Sequence, residues 1–137
     1  MKKLLLIIFC LFALALHAFA DNWIQVSSNK YVNTESAIRY NTNLPNTLRY
    51  SFWGKSFNDN SRTFNNIEDR LKQKTNLVDI QMIIDCNNKT YMPKRYILYD
   101  GNSKVIEDFT AEDYQVTWKQ FGEYSPMQKV YELICKP

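Results

Sequence analysis

The sequence is poor in the residues that carry most small-enzyme chemistry. Its one histidine is His17. Glycine occurs three times, at Gly54, Gly101 and Gly122, always singly, so a glycine-rich phosphate-cradling loop is excluded. Cysteine also occurs three times, at Cys10, Cys86 and Cys135, with no Cys-x-x-Cys pair. Neither sign of charge dominates, with 17 Lys and Arg against 14 Asp and Glu. Pro-rich linkers, internal repeats and runs of like charge are missing too, which argues for one compact domain.

The longest apolar run is at the start. Lys2 and Lys3 precede an uncharged run from Leu4 to Leu16, and Ala18-Phe19-Ala20 follows. A basic start, an apolar middle and small residues at the cleavage positions make a secretory signal peptide over 1–20. The run is shorter than the roughly 20 residues a spanning helix needs, so no transmembrane segment is expected in the mature chain. Cys10 lies mid-run behind Ile7-Ile8-Phe9, unlike the cysteine of a lipoprotein cleavage site.

Removing the leader sharpens the exclusions. His17 goes with it, and with it every serine–histidine, cysteine–histidine and histidine–metal site. Lys2 and Lys3 go as well, leaving a charge balance close to neutral and no electrostatic footprint for nucleic acid. Cys86 and Cys135 remain, and an even pair in an exported chain reads as one disulfide. No cofactor or metal site is expected. Asn58-Asp59-Asn60 has oxygen ligands but neither the glycine nor the glutamate of a calcium loop. Asp79, Asp85, Glu107 and Asp108 are carboxylates on the polar faces of expected strands, with nothing to raise a pKa for glycosidase chemistry. The protein is therefore expected not to be an enzyme.

What is plentiful is strand pattern and aromatic side chains. Trp23 to Val26 and Lys30 to Val32 open the mature chain, and Thr47 to Trp53 alternates. From Leu77 to Cys86, Val78, Ile80, Met82, Ile84 and Cys86 share one face, with Asp79, Gln81 and Asp85 on the other. Asn87-Asn88-Lys89 turns the chain into Thr90–Tyr99, where Pro93 marks a bulge or an edge. Asp100-Gly101 turns it again into Lys104–Phe109, so 77–109 reads as a three-stranded meander. Val116–Phe121 is a further candidate strand. Asn65 and Glu68 suggest a cap for a short helix over 65–74 carrying Ile67 and Leu71. Ser125, Pro126 and Gln128 open a C-terminal helix whose Met127, Val130, Tyr131 and Ile134 form one apolar stripe. All three tryptophans and nine tyrosines lie in the mature chain. Some of them must face water, and exposed Tyr with Arg is common on protein-recognition surface.

Several of these residues resemble the surface-adhesin protein E family of exported bacterial domains. Trp23 opens the domain, and Tyr31-Val32 with Ser36 and Ile38 is similar to a family stretch. Tyr50-Ser51-Phe52-Trp53, Asp85-Cys86, Tyr96 to Gly101, Trp118, Ser125 and Cys135 follow in family order. The resemblance implies an α+β domain over 21–137: an antiparallel sheet of about six strands, a docked C-terminal helix and one disulfide. It also implies a non-enzymatic protein of the periplasm or cell surface that binds a protein partner, in the best-known case host extracellular-matrix protein. A periplasmic inhibitor or immunity protein against a toxin or lysozyme-like enzyme is the alternative, with the polar stretch Gly54–Thr75 as its protruding loop. Phe57, Arg62 and Phe64 are the partner-binding candidates, because the two aromatics there lack a clear core period. The competing expectation is that both phenylalanines tuck under the loop. A homodimer could use the same surface or an exposed sheet edge.

Overall fold

The computed structural model describes residues 22–137; the expected signal peptide lies outside them. The described residues form seven strands and two α-helices. The strands are β1 (Trp23–Ser27), β2 (Lys30–Arg39), β3 (Arg49–Phe57), β4 (Leu77–Asp85), β5 (Thr90–Tyr99), β6 (Val105–Thr110) and β7 (Lys119–Gln120). The helices are α1 (Arg62–Leu71) and α2 (Pro126–Cys135). Strands β1 to β6 pair with their sequence neighbours, all antiparallel, and the short β7 pairs with the start of β5. The expected α+β architecture is therefore present, with the meander of 77–109 forming one half of the sheet as β4, β5 and β6.

One sheet face carries both helices. Tyr50, Phe52, Gly54 and Ser56 on β3 stand opposite Ile84, Met82, Ile80 and Val78 on β4. α2 lays Val130, Tyr131 and Ile134 on Val32, Phe52 and Ile84, making the first core cluster. Each such side chain contributes about 1.5–3 kcal/mol on leaving water. The Cys86–Cys135 bond fastens the end of α2 to the end of β4, across a Cα–Cα distance of 5.7 Å. Ser125 and Pro126 sit at the expected positions, but the serine hydroxyl donates to Gly122 O at 2.9 Å instead of capping the helix.

Several boundaries differ from the sequence expectation, and β3, expected over Thr47–Trp53, runs on to Phe57. α1 begins at Arg62, three residues before the cap assigned to Asn65, whose amide instead donates to Asn60 O at 3.3 Å. The earlier start puts Phe64, Ile67 and Leu71 at i, i+3 and i+7, and this stripe forms the second core cluster on Val78 and Leu98. β2 runs on to Arg39, with a break in register between Asn33 and Ile38 where the Asn33 side chain accepts from the amides of Glu35 and Ser36. Only Lys119 and Gln120 of the expected 116–121 strand pair. The preceding chain leaves the sheet, and its Asp113–Gln115 forms a 3-10 turn.

Pro93 does mark a bulge. Gln81 pairs with Arg95 and Met82 with Pro93, so Lys94 is the extra residue. Pro93 lies where neither β6 nor β7 covers β5, so the gap falls where the backbone has no N–H to satisfy.

Candidate binding surfaces

At the end of the sheet where β3 begins, a buried carboxylate organises a group of exposed side chains. Asp85 is 1% exposed. Its Oδ1 accepts from the backbone amides of Asn87 (3.0 Å) and Asn88 (2.9 Å), holding the β4–β5 turn. Its Oδ2 accepts from Arg49 Nε at 2.8 Å and from Asn88 Nδ2 at 3.2 Å. Burial alone would push the Asp85 pKa up. The Asn88 and Arg49 donors outweigh it and hold the carboxyl below its ordinary value.

The guanidinium fixed in this way lies 4.5 Å from the centre of the Trp118 ring. Trp118 is 37% exposed and Tyr114, four residues earlier in the same excursion from the sheet, is 85% exposed. Lys94 on β5 forms an ion pair with Asp113 and anchors that excursion. Ile38 at the far end of β2 and Leu44 in the β2–β3 connection are 68% and 59% exposed. A partly exposed Trp on an Arg held in place by a buried carboxylate has the composition of an interface hot spot. No local pattern in the sequence marks this pair, because Arg49 and Trp118 lie 69 positions apart.

The residues singled out from the sequence do not form one site. Phe57 ends β3, 41% exposed, its ring edge-on to Tyr31 at 5.8 Å. Arg62 is exposed on the first turn of α1. Phe64 is 4% exposed and packs under α1, so it is a core side chain and presents no contact surface. The stretch 54–75 is not a protruding loop either. It is the end of β3 followed by a helix folded onto the sheet.

The sheet face opposite the helices is occupied by its own side chains. Lys55 Nζ lies 4.2 Å from the Trp23 ring centre, and the Arg95 guanidinium 5.9 Å from that of Trp53. Arg95 also forks onto Asp108 at 2.9 and 2.6 Å. Asp79 sits among them with a buried Oδ1 that has no partner. Burial raises its pKa, with Lys55 and Tyr99 opposing. Cations over the rings and paired charges leave this face with few free groups.

On the helix-bearing face, α1 and α2 stand apart and leave a trough over the sheet. A cavity of about 460 Å³ lies toward α2 and another of about 370 Å³ toward α1. Lys30, Ser56, Ile80 and Pro93 line both, so the two adjoin. Among the described residues no group of three or more His, Cys, Asp or Glu is arranged to hold a metal, and no helix is long and apolar enough to cross a membrane.

No protein-family model and no curated protein matches the chain. Solved structures do match. A crystal form of Haemophilus influenzae protein E aligns with a TM-score of 0.51 at 13% identity, over 83% of this chain and 87% of that one. Protein E from non-typeable Haemophilus influenzae aligns over 83% of this chain and 75% of that one, with a TM-score of 0.47 at 13% identity. At this identity the likeness is one of fold: the chain shares the architecture of protein E.

Proposed function

We propose that the protein is an exported, non-enzymatic binding domain of the bacterial envelope that recognises a protein partner through its Trp118 end. The observation that carries this reading is the exposed Trp118 ring resting on an Arg49 that buried Asp85 holds in place. A fixed aromatic–arginine pair loses little side-chain freedom on binding, which favours affinity from a small area. The protein E-like fold supports the reading, and the family resemblance points to host extracellular-matrix protein as the partner class. The alternative inhibitor reading had 54–75 as its candidate protruding loop, and that stretch instead packs a helix onto the sheet.

Solid-phase binding of the tagged protein to matrix proteins and to a bacterial lysate tests both readings. Trp118→Ala is expected to weaken matrix binding about thirtyfold, the loss of a 2 kcal/mol hot spot, with an unchanged melting temperature. Matrix binding unaffected by Trp118→Ala overturns the surface, and capture of a lysate enzyme with no matrix binding overturns the partner class. Intact-mass measurement on the periplasmic or medium fraction checks export. The expected chain starts at Asp21 and carries no acyl group.

A further inference from the structure

The trough between the helices has an apolar sheet floor. Val32, Gly54, Ile80 and Tyr96 stand directly opposite one another across β2 to β5. At the centre of that row the end of the Met82 side chain lies over Gly54, where a Cβ would come within 2.8 Å of Met82 Cε. Crossing four strands makes the floor about 14 Å long.

The lining selects an occupant without hydrogen-bonding groups along its length. The floor is a sheet face, so its backbone N–H and C=O groups are spent in the ladders. At the α1 end, Tyr96 Oη donates to Glu107 at 2.5 Å, and Arg70 forks onto the same carboxylate at 2.9 and 3.0 Å. At the α2 end the Ser125 hydroxyl is bonded to Gly122 O. An extended peptide would bring amides that find no partners there, at a cost for every unmade bond. A hydrocarbon chain brings none.

Where the two cavities meet, one cation is free of a contact ion pair. Lys30 lies opposite Ser56 on the same face and forms no ion pair among the described residues. Its Nζ is 3.5 Å from Asn29 Oδ1. Asp59, the carboxylate nearby in the lining, accepts from the Ser61 amide at 3.1 Å and attracts Lys30 from a longer distance, so the ammonium is partly offset but has no carboxylate in contact among the described residues. We propose that the trough binds a long-chain fatty acid, with the acyl chain along the Val32–Tyr96 row and the carboxylate at Lys30. Each of the two adjoining cavities is of the size that small-molecule sites have, about 300–1,000 Å³, and the few polar groups where they adjoin would orient the head.

This site is separate from the Trp118 surface, so either can fail without the other. Calorimetric titration of the purified protein with dodecanoate, octanoate and dodecyltrimethylammonium tests it. One dodecanoate per chain is expected, bound about two-hundredfold tighter than octanoate, since each of the four extra methylenes is worth about fourfold when buried. Lys30→Glu should weaken dodecanoate about tenfold and leave dodecyltrimethylammonium no weaker. Gly54→Leu should abolish binding of both twelve-carbon probes. Met127→Trp, which fills the trough from its α2 wall, gives the same readout if Gly54→Leu fails to fold. Four results overturn the proposal: no saturable dodecanoate binding, equal affinity for the two acids, binding indifferent to the trough-filling variants, or sedimentation showing a dimer that Gly54→Leu dissociates. The last would assign the trough to a second copy of the chain.

Discussion

Replacing Asp85 by asparagine tests the link between the core and the proposed recognition surface. The carboxylate is buried and takes four donors: two turn amides, the Asn88 side chain and Arg49. Asparagine keeps one acceptor oxygen for the amides of Asn87 and Asn88. It turns an NH2 group toward Arg49 Nε and Asn88 Nδ2, where an acceptor stood. The charge-assisted bond to Arg49 is lost, worth about 1.5–3 kcal/mol, and the guanidinium is left partly buried beside a donor. Removing one partner of a buried pair costs about 3–5 kcal/mol in total, and that is the expected loss at pH 7. It is a large share of the roughly 5–15 kcal/mol that holds a domain folded. Urea unfolding measures it as a shifted midpoint at constant slope.

The pH dependence gives a second, independent check. Asp85 has its folded pKa below the ordinary 3.8, so its contribution is present above that value and disappears as pH falls through the folded one. The gap between wild type and Asp85→Asn should therefore be full at pH 7 and should narrow below about pH 4. Asp59, Glu68, Glu107 and Asp108 are lowered in the same direction, so only the difference between the two proteins isolates Asp85. Partner binding should weaken with it, because Arg49 is no longer held under Trp118. A stability loss under about 1 kcal/mol, or a gap that does not change between pH 7 and pH 3, refutes the argument.

Other substitutions check separate parts of the structure. Cys135→Ser should lower stability by about 4 kcal/mol from the chain entropy of the loop it closes, and non-reduced peptide mapping should join the Cys86 and Cys135 peptides; two free thiols would contradict this. Phe64→Ala should cost about 3–5 kcal/mol in urea unfolding, and Phe57→Ala less than about 1, because only the first empties a core position. Asp79→Asn should raise stability at pH 7 by about 1 kcal/mol, since the burial that raises the Asp79 pKa opposes folding with the group charged. That gain should vanish as pH falls and wild-type Asp79 takes up its proton; a loss of stability at pH 7 would show that Lys55 outweighs burial.

The sequence alone carried the local parts of this protein. Alternation from Leu77 to Cys86, the turns at Asn87–Lys89 and Asp100-Gly101, and the Ser-Pro start of α2 are each complete within about ten residues. Period 2 and period 3.6 need no partner to be read, so the meander, the C-terminal helix and the one available cysteine pairing were legible. The start of α1 was not, because Asn65 offers as plausible a local cap as Ser61. Only contact with Val78 and Leu98 makes Phe64 part of the buried stripe. Nor was the Trp118 end legible: Arg49, Asp85 and Trp118 meet because β3 pairs with β4 and the chain returns from β6 over them. The trough is likewise a property of the assembled sheet. Gly54 is a lone glycine in the sequence, and only the β3–β4 register makes it the place where the end of Met82 lies on the sheet, between Val32 and Ile80. Pairing register and helix docking are set by contacts far apart in the chain, and single-residue patterns carry no record of them.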